Sequence, residues 1–217
     1  MAATRQDATI SPRLVTALDR TWAAIQARHP DVPAVVITLG SGSGTSRLKL
    51  GHFAPERWER ADGRLPELFV GGEGLARGAL AVLGTLLHEA AHGLASVRKV
   101  QDTSRQGRFH NTRYKALAEE LGITVAKDAS IGWSITTVPD ATAALYRAEV
   151  RRLESALVAW RLGEGSGRGG RANNNNGVAA LCECGRRIRV AVSVLETGPI
   201  TCGLCGSHFE IASPDGS

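Results

Sequence analysis

Five residues constrain this chain more than any others: His88-Glu89-Ala90-Ala91-His92, an H-E-x-x-H sequence inside an apolar stretch at residues 78–97. In a helix, positions i and i+4 share one face, so both imidazoles reach a single metal ion. Glu89 stands next to the first of them, placed to act as general base toward a water that the metal activates. Zinc brings the pKa of such a water toward neutrality and yields a nucleophile that cleaves peptide bonds. Residues 79–87 carry no charge, which predicts a buried helix. Burying His-Glu-His is expensive unless the three groups have a task.

A catalytic zinc takes three protein ligands and keeps one position open. The extended metzincin pattern needs glycine at 95 and histidine at 98; the chain has Ala95 and Arg98, and its only methionine is Met1. That arrangement is excluded. Two sources of a third ligand remain. His110 is preferred, presented at the start of the periodic segment Tyr114, Leu117, Ala118, Leu121. Glu119 or Glu120 on the same helix is the alternative, in the manner of thermolysin-like enzymes.

A second metal signal lies near the C-terminus. Cys182-x-Cys184 and Cys202-x-x-Cys205 are separated by seventeen residues, and these are the chain's only cysteines. Paired cysteines at this spacing predict a four-cysteine zinc ribbon with one structural zinc. Gly185 and Gly206 follow the second cysteine of each pair, where knuckle turns favour glycine. Residues 189–194 are rich in β-branched side chains and are expected as a strand. Disulfides are the weaker reading, since the N-terminus shows no apolar export segment. The expectation is therefore a cytoplasmic protein without a membrane span, because the longest apolar run is interrupted by Arg77, His88 and Glu89.

The rest of the chain supplies the frame. Ser11-Pro12 predicts a helix start, with Ser11 as cap, an apolar stripe through Leu14, Ala17, Leu18, Trp22 and Ile25, and a stop at His29-Pro30. Strands are expected at residues 34–39, 49–53 and 68–70, and a last helix at 141–161. The glycine-rich turn 40–44 lacks the spacing and Lys-Ser/Thr of a phosphate loop. Residues 162–177 hold six glycines and four consecutive asparagines, a linker composition that spans about 20–25 Å on average. The domains read as 10–161, a linker at 162–177, and a ribbon at 178–213. Overall the fold class is α+β, a zincin-like domain of helices with a small sheet plus the ribbon.

His88-Glu89-x-x-His92, a basic loop, and then His110-x-x-x-Tyr114-Lys115-x-Leu117 resemble the SprT-like zinc metalloprotease family, which includes the Spartan protease. Leu121-Gly122-Ile123 and Gly132-Trp133-Ser134 also look like family features. Asn111 departs from the pattern, standing where many relatives have glycine. The resemblance covers roughly residues 10–160 plus the tail. It implies His110 as third zinc ligand, and a protein substrate bound or crosslinked to DNA.

Net charge is +5 and the pI about 9.4, which favours an anionic partner. Three basic clusters stand out: Arg98, Lys99, Arg105, Arg108, Arg113 and Lys115 near the metal site; Arg168 and Arg171 in the linker; Arg186, Arg187 and Arg189 in the ribbon. Such clusters bind phosphates without reading sequence, so DNA is the expected partner. Trp133 and Phe209 are the available stacking aromatics. The expected activity is a zinc metalloendopeptidase, with Glu89 as its base. A non-catalytic DNA-binding zinc adaptor is the alternative from another class.

Overall fold

The computed structural model describes residues 9–43, 48–163 and 177–211. It divides into two units, Met1–Glu164 and Gly165–Ser217. The division falls within the expected linker, of which residues 164–176, with Arg168 and Arg171, lie outside the described residues. The described chain is α+β with small sheets.

In the first unit, Leu14, Ala17, Leu18, Trp22 and Ile25 form the buried stripe of α1 (Ile10–Arg28). Ser11 is not its cap. Thr9 holds that position with no side-chain capping bond, and Pro12 falls in the first turn, where the helix makes no use of its missing N–H. Strand β1 (Val36–Gly40) runs parallel to β3 (Gly63–Gly71), and β2 (Gly51–Arg60) pairs antiparallel with β3 on its other side. The order β1-β3-β2 leaves β2 at an edge. Both hairpin strands are longer than the expected 49–53 and 68–70. The outer part of β2 is solvent-exposed and that of β3 is exposed or half-buried, so no apolar alternation marks them in the sequence.

A 3-10 turn (Gly72–Arg77) carries the buried Glu73 into the central helix α2 (Ala79–Val97). Glu73 accepts hydrogen bonds from the Ser43 hydroxyl at 2.6 Å, the Gly42 amide at 2.7 Å and Arg161 at 2.8 Å. These donors, Ser43 first, hold its carboxyl down at about 2. Among the described residues α2 is the one helix long and apolar enough to cross a membrane. It is instead packed against α1, β2 and the elements described next. Leu83, Leu86, Leu87 and Leu94 on α2 are wholly buried, each worth about 1.5–3 kcal/mol of apolar transfer.

The second sheet has the order β4-β5-β7-β6, from Thr103–Ser104, Phe109–His110, Gly132–Thr137 and Thr124–Asp128 respectively. Helix α3 (Thr112–Glu120) follows β5. Asn111 caps α3: its side-chain oxygen accepts from the amides of Arg113 (2.8 Å) and Tyr114 (3.2 Å). This is the role that an asparagine fills better than a glycine. The expected helix 141–161 is two helices, α4 (Asp140–Leu145) and α5 (Arg147–Ala156). The break is at Tyr146, whose ring is buried in the core with Arg28 stacked 4.6 Å from its centre; holding that ring turns the chain between the helices.

In the second unit, β8 (Val178–Leu181) pairs antiparallel with both β9 (Arg187–Val190) and β10 (Glu210–Ile211). The strand expected over 189–194 ends at Val190. There it meets Val178, the first residue of its partner strand. With no ladder left to join, residues 192–197 form the short helix α6 (Val192–Thr197). Ala180, Cys182, Cys202 and Phe209 make the buried centre of this unit.

Candidate metal centre and cleft

Helical spacing on α2 puts His88 and His92 on one face, as the sequence requires. The third histidine, His110, ends strand β5, one residue before the cap of α3. It pairs there with Thr103 of β4 and Gly132 of β7. Gly132 has φ +76°, and a Cβ there would lie 2.1 Å from the His110 carbonyl oxygen. Glycine at 132 thus allows the strand contact that carries the third imidazole.

One ring nitrogen from each of His88, His92 and His110 lies within 4.8 Å of the other two, and the Nε2 atoms of His92 and His110 are 3.1 Å apart. Each Nδ1 is engaged elsewhere. His92 Nδ1–H donates to Asp102 Oδ2 at 2.5 Å, and His110 Nδ1–H donates to the Ile131 carbonyl at 3.0 Å. His88 Nδ1 lies 3.0 Å from the Thr136 hydroxyl. A carboxylate and a carbonyl only accept, so the proton is on Nδ1 in two of the rings and their Nε2 lone pairs face the shared point. Nitrogens at about 2.0–2.1 Å from a tetrahedral zinc sit roughly 3.3 Å apart, so this donor set fits such an ion. The wholly buried Tyr114 ring packs against all three imidazoles, with centroid distances of 4.9, 4.7 and 4.5 Å to His88, His92 and His110.

The electrostatics suit ligation. Burial, with the neighbouring His92 and His110, keeps His88 well below its ordinary pKa. Burial also lowers His110. Burial opposes charge on His92 too, but the Asp102 hydrogen bond and the Glu89 and Asp102 charges outweigh it and leave His92 raised. Burial pushes Glu89 up to about 7, against the pull of His92, the Phe53 amide and Lys49. The space for Glu89 depends on Gly51 of β2: a Cβ there would lie 2.9 Å from Glu89 Oε1 and 2.8 Å from Thr85 Cγ2.

Glu119 and Glu120 do not approach the three histidines. Glu119 pairs with Lys115 at 3.6 Å, and Glu120 pairs with Arg98 at 2.8 Å. Asp102, Thr136 and Ile131 are partners that the motif did not reveal. Asp102 carried one faint signal, as the only carboxylate between Glu89 and Glu119. Asp102→Asn is expected to weaken metal binding at the histidines about 10–100-fold with the fold intact. A competition titration against a chelator checks this, and an unchanged affinity would remove Asp102 from the site.

Two clefts meet at the centre. One, of about 700 Å³, extends toward the start of α2; the other, of about 570 Å³, extends toward Asp102. Lys49, Gly51, His88, Glu89 and His110 line both.

In the second unit the four sulfur atoms of Cys182, Cys184, Cys202 and Cys205 lie within 4.8 Å of one another, with Cys182 and Cys184 3.1 Å apart and Cys184 and Cys202 3.8 Å apart. Sulfurs at about 2.3 Å from a tetrahedral ion sit roughly 3.8 Å apart, so this group can also hold a metal. Amides of Leu204 and Cys205 hold the Cys202 thiol down at about 6. Cys202→Ser is expected to unfold the second unit, whose apolar centre is only a few residues, while the first unit keeps its cooperative melt. Circular dichroism with calorimetry reads the two separately; a lost first-unit transition would be the contrary result.

Three of the six basic residues near the histidines are engaged by acids or aromatic rings within the protein. Arg98 is tied to Asp31 and Glu120, Arg105 stacks over Phe109, and Lys115 lies over the Trp133 ring. Phe209 is buried in the second unit and is not a stacking platform. Arg186 donates to Cys202 Sγ at 3.6 Å. Arg187 and Arg189 project from the same exposed face of β9. Compared with protein-family models, curated proteins and solved structures, the chain matches none.

Proposed function

We propose that the first unit is a zincin-like zinc metallopeptidase domain of the SprT-like kind, and that the second is a zinc ribbon. His88, His92 and His110 would hold the catalytic zinc; Cys182, Cys184, Cys202 and Cys205 would hold a structural one. The observation that carries the reading is a set of three imidazoles, each fixed through Nδ1, converging beside the buried carboxylate of Glu89 at the junction of two open clefts. When bound, the zinc supplies Lewis acidity that polarises a substrate carbonyl and acidifies water. Glu89 takes the proton from the attacking water and returns it to the departing amine. The Phe53 amide and the close approach of Gly51 hold its carboxylate on line. A non-catalytic adaptor would have no use for a buried carboxylate beside its ligands.

Protein associated with DNA is the substrate that the family resemblance favours, with Arg187 and Arg189 of the ribbon as phosphate contacts. The test is hydrolysis of an unstructured protein by the zinc-loaded full chain, with and without single- and double-stranded DNA. Chelator-sensitive cleavage restored by zinc is the expected result. A pure, zinc-replete preparation that cuts nothing under any of these conditions would refute it.

A further inference from the structure

The two clefts that meet at the histidines differ in where large apolar side chains stay exposed. Toward the start of α2 the walls are Leu48, Leu50, Leu80, Ile131, Ile135 and Val138. Their floor is a strip of small residues on α2, Ala81, Gly84 and Thr85, lying one and two turns before His88. Ser134, Thr136 and Thr137 add polar groups to this first cleft; toward Asp102 the lining brings Lys49, His52, Ser96 and Thr103 beside Phe53 and Val100.

Three large apolar side chains at the first cleft remain open to solvent: Leu48 is 50 % exposed, Leu80 43 % and Ile135 53 %. They come from three separate segments, the residues before β2, the first turn of α2, and β7. Apolar groups gathered from different elements at one concavity mark a binding surface rather than scattered exposure. The cleft also brings Lys49 and Arg77 to its lining, while its only acid is Glu89 at the centre. A cationic side chain entering it would meet two like charges; an apolar one would be enclosed.

On this basis, and resting on the peptidase reading above, we propose that the apolar cleft is a specificity pocket. It selects a large apolar side chain, such as Phe or Leu, at a substrate position next to the scissile bond, and it rejects Lys and Arg there. The occupant is fixed by continuity with the histidine centre, since five residues line both clefts. A peptide bond placed against Glu89 has one flank in this pocket and the other in the cleft toward Asp102, which has no large exposed apolar side chain in its lining. Sequence preference on the protein substrate then comes from one side of the cut only. Substrate choice is set by side-chain size and polarity there, separately from any charge-driven recruitment elsewhere.

The test uses the zinc-loaded full chain and matched peptides carrying Phe, Leu, Gly or Lys at each position flanking the cleaved bond. The expected kcat/KM ratio of Phe or Leu over Gly and Lys, at one flank, is about tenfold or more. Ala81→Phe fills the floor and Ile135→Asp places a charge on the exposed rim, so both should collapse that ratio toward one. Because Ile135 is on the surface, its variant guards against a misfolded Ala81→Phe. Binding of the same peptides to zinc-loaded Glu89→Gln, followed by fluorescence anisotropy, reads the preference without turnover. Hydrolysis with a ratio near one, or a ratio that survives both substitutions, overturns the pocket and leaves the peptidase reading standing. Selective binding by Glu89→Gln with no hydrolysis by wild type keeps the pocket and overturns the peptidase.

Discussion

Glu89→Gln should retain metal at the three histidines and lose peptide hydrolysis by about 10²–10⁴-fold. The substitution keeps the size of a residue that is 5 % exposed and packed close to Gly51. A glutamine carbonyl still accepts the Phe53 amide, so the site need not rearrange. What disappears is the ability to take a proton from water and pass it on. Because the ligand nitrogens belong to His88, His92 and His110, metal content should match wild type. Turnover measured alongside metal analysis decides the matter: near-normal hydrolysis by the variant would strip Glu89 of its assigned role.

His110→Ala is expected to have the opposite signature, lowering zinc affinity at this centre by more than about 100-fold, beyond the effect of losing an outer partner. It removes one of three donors and also the Nδ1–H bond to the Ile131 carbonyl. Glu119→Gln and Glu120→Gln should leave affinity unchanged. Their carboxylates serve exposed ion pairs with Lys115 and Arg98, which are worth at most about 1 kcal/mol to stability. If a glutamate variant lost zinc while His110→Ala kept it, the thermolysin-like ligand set would replace the one proposed. Titration with a zinc-competing chelator distinguishes the two.

Much of the site was legible because helical periodicity is strict. Two histidines four apart on an uncharged stretch had one available geometry, and the buried stripe of α1 followed from the same rule. The cysteine spacing likewise implied a cluster, and the sulfurs do converge. What could not be read depended on pairing between distant segments. His110 reaches the centre through a strand contact with Gly132, and a two-residue strand has no periodicity. Asp102, Thr136 on β7 and Ile131 just before it reach the histidines through hydrogen bonds between segments remote in sequence. The strand expected over 189–194 failed because β-branched composition cannot say where a partner strand begins. The split at Tyr146 arose from one ring fixed in the core, which overrode a continuous helical pattern. Charge counting misled at Arg98, since its partners Asp31 and Glu120 are remote in sequence.

Tyr114 touches the imidazoles of His88, His92 and His110, two from a helix and one from a strand. A single rigid plate of this kind makes their orientations interdependent. The angles among the donor nitrogens are then imposed by the protein core instead of being adjusted to whichever ion arrives. First-row divalent ions differ in affinity in a fixed order that favours copper over zinc, and proteins escape that order through geometry. A donor set that cannot relax toward a square plane penalises copper and nickel, while a tetrahedral d¹⁰ ion meets no penalty. On the zinc reading proposed above, the choice of ion at this centre would be made by an aromatic side chain that never bonds to it.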